Sequence, residues 1–200
     1  LGAAERAFHE IDQVATVTIQ RDWPDTVTIK VTKRIPIAWV ARAGTDFSAD
    51  QALLLDAAGG TMKPYRVEPE YWKLPVIFTS DPARVGEDPL AAADLKAALN
   101  LLAVRARKPE SLLNIRSVDI TKGYAIEVVD ANNSHITFAP QDPASQLDRL
   151  QKLLEHCRDT GRQLETVNLI PKKFTPVRFL LVSSQETPAL PEKPSRKAAN

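Results

Sequence analysis

Three histidines and one cysteine are the residues of this 200-residue chain best suited to metal binding or nucleophilic catalysis: His9, His135, His156 and Cys157. Their spacing matches no zinc site, and no second cysteine completes one. His156 and Cys157 are sequence neighbours, but on a predicted helix adjacent side chains diverge by about 100°. A thiol–imidazole pair is therefore not expected; one exposed and one half-buried side chain is. Asp56, Asp119, Glu127 and Asp130 are candidates for a pair of catalytic carboxylates, yet no recognised spacing joins two of them. Gly59 and Gly60 lack the downstream residues of a phosphate loop and read as a turn. Trp39 and Trp72 have the surface to stack on a ligand; as aromatics among short strands they read as core or edge-covering residues. No cofactor or metal is expected.

The elements that would have to position such groups are better defined than the groups. Apolar residues make up 44% of the chain, enough for a core. Lys and Arg number 26 against 25 Asp and Glu, a net charge of +1. That balance argues against a nucleic-acid protein held by bulk charge, which needs a concentrated basic excess. Apolar runs fall far short of the roughly 20 residues that span a bilayer. The lone cysteine excludes an internal disulfide and fits either redox compartment. Fifteen prolines, above the ordinary share of about 5%, punctuate short elements.

A helix is predicted over Ala3 to Ile11, with Ala7, Phe8 and Ile11 on one face. Strands are predicted over Val14 to Arg21 and Thr26 to Lys33, joined by a turn at Asp22 to Asp25 in which Pro24 fixes φ. Val27, Ile29 and Val31 alternate with Thr28, Lys30 and Thr32, which predicts one buried and one wet face. Beyond Pro36, Ile37 to Arg42 and Ala52 to Asp56 read as a strand pair, and Pro75 to Phe78 as a short strand. Two amphipathic helices follow, each opened by Asp-Pro: Asp88 to about Arg107, with Leu95, Leu99 and Leu102 inward, and Asp142 to Thr160, with Leu147, Leu150 and Leu154 inward and Gly161 as C-cap. Between them, Leu112 to Ile120, Gly123 to Val129 and Ser134 to Phe138 read as a β-meander. Two last strands are expected over Thr166 to Ile170 and Thr175 to Val182. From Ser184 the chain reads as a disordered tail, its Lys193, Arg196 and Lys197 solvated. The fold class is α+β: a helix with a β-hairpin, then a mixed or antiparallel sheet with two amphipathic helices. An absence of catalytic motifs favours a binding module.

Trp23, Pro24, Thr26, Ile29, Val31, Arg34, Pro36 and Ala38 together carry a resemblance. The stretch from Val17 to Trp39 resembles the end of the POTRA domain in the bacterial cell-division family FtsQ/DivIB, whose pattern runs approximately V-x-R-x-W-P-x-T-L-x-I-x-V-x-E-R-x-P-x-A; Lys33 stands at its usual Glu. Leu54 to Gly59 resembles the strand and D-x-x-G that open that family's β domain. Leu74 to Ile77 resembles its L-P-x-I/L, and Val167 to Phe179 its closing strands. The resemblance covers roughly residues 3–182.

This resemblance implies residues 1–35 as the C-terminal part of a POTRA domain, 36–183 as the β domain and 184–200 as the tail. It implies a non-enzymatic scaffold, the periplasmic part of a single-pass inner-membrane protein at the division septum. Its membrane helix and the first strand and helix of POTRA would precede Leu1, so the Val17 and Val27 strands are expected to have an exposed edge. The implied partners are FtsB-like and FtsL-like proteins, and others through the POTRA part, with no nucleic acid. A partner adds a strand to the last strand of the β domain, over Phe174 to Val182, and touches the helix from Asp142 to Thr160. The partner-binding residues are then Pro171, Lys173, Phe174, Thr175, Val177, Phe179 and Leu181. Pro176 removes a donor, which restricts expected pairing to Val177 to Val182, and Pro171 replaces a frequent aromatic. Two other classes remain open: another POTRA-bearing protein of transport or secretion, and a hydrolase with a carboxylate site.

Overall fold

A computed structural model of the chain describes residues 7–8, 11–85 and 89–180. Ala7 and Phe8 are helical; the rest of the first predicted helix before Ile11 lies outside the described residues, as do Asp88, Leu181 and the tail. Ile11 follows the helix in a bend and is exposed.

Strands β1 (Val14–Asp22) and β2 (Thr26–Lys33) form an antiparallel two-stranded sheet around a turn with a cis Trp23–Pro24 bond. Register sets Val17 opposite Val31 and Ile19 opposite Ile29, so the apolar residues share a face as predicted. That face is not buried on the β2 side: Val27, Ile29 and Val31 are 52%, 48% and 47% exposed. Alternation specifies which side chains share a face, but burial needs a second layer. Among the described residues no third strand joins the hairpin.

The other nine strands form one mixed sheet: β3 (Pro36–Arg42), β4 (Leu53–Asp56), β5 (Thr61–Met62), β6 (Val76–Thr79), β7 (Ile115–Asp119), β8 (Ile126–Asp130), β9 (His135–Phe138), β10 (Leu164–Asn168) and β11 (Val177–Phe179). Their spatial order is β11-β10-β9-β8-β7-β6-β3-β4-β5. The pairs β3–β4 and β7–β8–β9 are antiparallel, as the predicted strand pair and meander require. Parallel pairing occurs at β3–β6, β6–β7 and β9–β10. The last two need long crossovers, supplied by α1 (Pro89–Ala106) and α2 (Pro143–Thr160).

Two rows of side chains define the sheet's faces. Val40, Ile77, Val118, Val128, Ile136, Val167 and Val177 are in register across seven strands. They join one apolar cluster with both helices. On the opposite face runs Met62, Leu54, Trp39, Val76, Ser117, Val129, His135, Thr166 and Arg178. Its first members are buried in a second cluster with Ala41, Ala52 and Tyr71; its last are polar. The sheet is thus buried on both faces near β3 and on one face near β11, which is why β3 reads as a continuous apolar run.

Among the described side chains of α1 the innermost are Leu95, Ala98 and Leu101, with Leu99 and Leu102 only partly buried, a rotation from the predicted face. Small Ala98 sits at zero exposure because it lets the helix approach the sheet; a leucine count alone misses it. In α2, Leu147 and Leu150 are buried and Leu154 partly so. Asp142 accepts a hydrogen bond from the Ser145 N–H at 3.4 Å, and Gly161 closes the helix at φ 65°.

Trp39 is 1% exposed and its indole N–H donates to the Tyr71 carbonyl at 2.7 Å. Trp72, 60% exposed, lies at its rim. Truncating Trp39 to Ala is expected to remove about 3–5 kcal/mol of stability and Trp72→Ala no more than about 1.5 kcal/mol, read from urea unfolding of each variant.

Candidate functional site

The partner-binding residues expected from the sequence fall at the β11 end of the large sheet. Chain geometry there starts from Asn168, whose N–H donates to the Pro176 carbonyl at 3.0 Å, and from Leu180, whose N–H donates to the Gln163 carbonyl at 2.9 Å. Even-numbered residues of this stretch therefore direct their backbone groups toward β10. By the alternation of an antiparallel pair, Val177 and Phe179 direct their N–H and C=O groups away from the sheet. Among the described residues no strand takes them. The donor missing at Pro176 belongs to the inner side, so this proline costs the open edge nothing.

The strand is shorter than predicted. Thr175 to Val182 was the expected extent; regular pairing covers Val177–Phe179. Pro176 cannot donate to the ladder, so pairing begins after it. Of the residues singled out in the sequence, Val177 and Phe179 come together on one face of the strand and join the cluster beneath the helices, with Leu153 and Leu154. Pro171, Lys173, Phe174 and Thr175 lie in the preceding loop rather than on the strand, and Phe174 is 67% exposed. Leu181 lies outside the described residues.

Two arginines outside the residues expected from the sequence shape this edge. Arg149 of α2 donates to the Pro171 carbonyl at 2.8 Å and to the Leu169 carbonyl, tying the loop to the helix. The Arg162 guanidinium lies over the Phe179 ring, 5.5 Å from its centroid. Neither has a local sequence signal, because both partners arrive from across the fold.

The alternative chemistry is committed to local structure. Asp119 and Glu127 are cross-strand neighbours, a pairing the sequence did not reveal. Asp119 accepts from the Thr121 N–H and hydroxyl at 2.8 and 2.7 Å, and Glu127 pairs with Lys122 at 2.5 Å. That hydrogen bond holds the Lys122 ammonium above its usual range. Buried Asp130 accepts from the Asn132 and Ser134 N–H groups, both at 2.8 Å. His156 is exposed and Cys157 buried, where half-burial was expected for one of the two. Burial pushes the Cys157 thiol up, against a smaller downward pull from Arg162. No group of three metal-binding side chains occurs among the described residues, and no described helix is long and apolar enough to cross a membrane.

No family model matches the chain. A curated relative does: the cell division protein FtsQ of Myxococcus fulvus (strain ATCC BAA-855 / HW-1), 25% identical over 170 residues. The chain is similar to an FtsQ. That match covers 84% of this chain and 56% of the relative, so the chain spans little more than half of the FtsQ it resembles. The similarity to FtsQ/DivIB carried by the Trp23–Ala38 motif is thereby shown over most of the chain, well beyond the motif.

Hydrogen exchange followed residue by residue is expected to separate the two sides of β11. The Val177 and Phe179 amides should exchange far faster than the bonded Leu180 amide; equal protection at all three would show that the edge is covered.

Proposed function

We propose that this chain is the extracytoplasmic part of a cell-division scaffold of the FtsQ/DivIB type. On this reading it is non-enzymatic and works at the division septum, anchored in the inner membrane by a helix elsewhere in the full-length protein. Residues 1–35 serve as the C-terminal part of a POTRA domain and 36–183 as the β domain, followed by the tail. It binds FtsB-like and FtsL-like proteins by strand addition to β11.

The observation that carries this reading is the open backbone of Val177 and Phe179 at the end of a nine-stranded sheet. An incoming strand finds two N–H and two C=O groups there, and main-chain bonds supply affinity whatever its sequence. Specificity then comes from alternate side chains. Partner residues on one face would continue the apolar row that ends at Val177; those on the other would meet Arg178 and the polar face. Phe179, held under Arg162, is the aromatic anchor of the edge. The FtsQ similarity supports the general role.

A pull-down and titration of the purified chain against the extracytoplasmic segments of the same organism's FtsB-like and FtsL-like proteins tests this. Phe179→Ala is expected to weaken binding about tenfold or more, a loss of at least ~1.4 kcal/mol. Unchanged affinity in both Phe179→Ala and Val177→Ala would contradict the β11 edge as the binding site. No binding by the unaltered chain would contradict the scaffold reading itself.

A further inference from the structure

The junction between the hairpin and the large sheet is short. Only Arg34 and Ile35 separate β2 from β3, and Ile35 is 77% exposed, so the link does not hold itself by packing. A two-stranded hairpin on such a link would pivot unless something else tied it down.

Arg34 reaches both ways. Its Nε donates to the Val14 carbonyl of β1 at 3.2 Å, and its Nη1 donates to Asp56 Oδ2 at the end of β4 at 3.0 Å. Its own N–H donates to the Gln13 carbonyl at 2.8 Å. The Arg34 and Asp56 side chains are partly withdrawn from water, 32% and 13% exposed, and a charge-assisted bond in that setting is stronger than one fully on the surface. Asp56 is itself held, its Oδ1 accepting from the Ala58 and Gly60 N–H groups at 2.9 and 2.8 Å, which leaves Oδ2 for the guanidinium. The site is also cleared for it: a Cβ at Gly60 would lie 2.2 Å from Arg34 Nη1. Among the described residues the other hydrogen bonds across the junction are more exposed or longer. Lys33 meets Glu68 at 3.1 Å and the Tyr71 hydroxyl at 3.3 Å with its ammonium exposed, and the Lys63 N–H meets Asp12 at 3.4 Å.

We propose that Arg34 is a latch that sets the angle between the hairpin and the nine-stranded sheet. The rigid fork of a guanidinium bonds both bodies at once, which a lysine ammonium at the same place does not reproduce. The consequence is that the exposed Val27, Ile29 and Val31 of the hairpin and the open β11 edge are carried in one fixed relation. This holds whatever binds at either surface.

The test is a pair of spin labels, at Asp25→Cys on the hairpin turn and Lys152→Cys on the exposed side of α2, in a Cys157→Ala background. Pulsed dipolar spectroscopy reads the distance distribution between them. The unaltered junction is expected to give one narrow distribution, and Arg34→Ala to broaden it about twofold, as independent bodies do. Gly60→Ala should act in the same direction by displacing the guanidinium, and Arg34→Lys should fall between. Thermal unfolding followed in parallel separates a latch from a merely stabilising residue. A lowered melting temperature with unchanged width in the Arg34 variants overturns the proposal, as does unchanged width in both Arg34→Ala and Gly60→Ala.

Discussion

The crossover through α2 is the constraint on which the rest of the structure depends. Because β9 and β10 are parallel, the chain must cross the sheet between them, and α2 does so with Leu147, Leu150 and Cys157 against the same face that α1 covers. This fixes β10 at the outer side of β9. The short return to β11 then has one place to go, antiparallel on β10, at the end of the sheet. The open edge is therefore a product of the core, and the helix that builds the core also supplies Arg149, which tethers the loop leading to that edge.

Local elements were legible in the sequence to different degrees, for physical reasons. Asp142, Pro143 and Gly161 bound α2 because capping chemistry is local and needs no tertiary partner. The hairpin and meander were legible because period-two alternation and short turns select their own pairing. The parallel pairs were not, since nothing within β6 or β9 announces a strand that arrives after a helix. The face of α1 departs from its leucine periodicity because Ala98 is buried for its smallness, which hydrophobic periodicity underweights. At the candidate site, Phe179 and Val177 stand out in the sequence, while β11 is shorter than the expected Thr175 to Val182, because the donor missing at Pro176 lies on the inner side, where it delays pairing.

The two ends of the large sheet present contrasting surfaces. Near β3 the sheet is buried on both faces, and Trp39, fixed by its bond to the Tyr71 carbonyl, has no surface left for a ligand. Near β11 one face is polar and open, and the edge is unpaired among the described residues. The hairpin adds exposed apolar residues on its β2 side, Val27, Ile29 and Val31. Asp119, Glu127 and Asp130 are bonded to neighbouring residues, Asp56 also to Arg34 across the junction, and Cys157 is buried. This distribution of open backbone and fixed side chains suits recognition through main-chain pairing.

Amide exchange at Val177 and Phe179, measured with and without a saturating FtsB-like segment, tests strand addition most directly. The account predicts that both amides slow strongly when the segment binds, as new main-chain bonds form. Binding that leaves both exchanging at their free rates would contradict it, since the partner would then be held by some surface other than the β11 backbone.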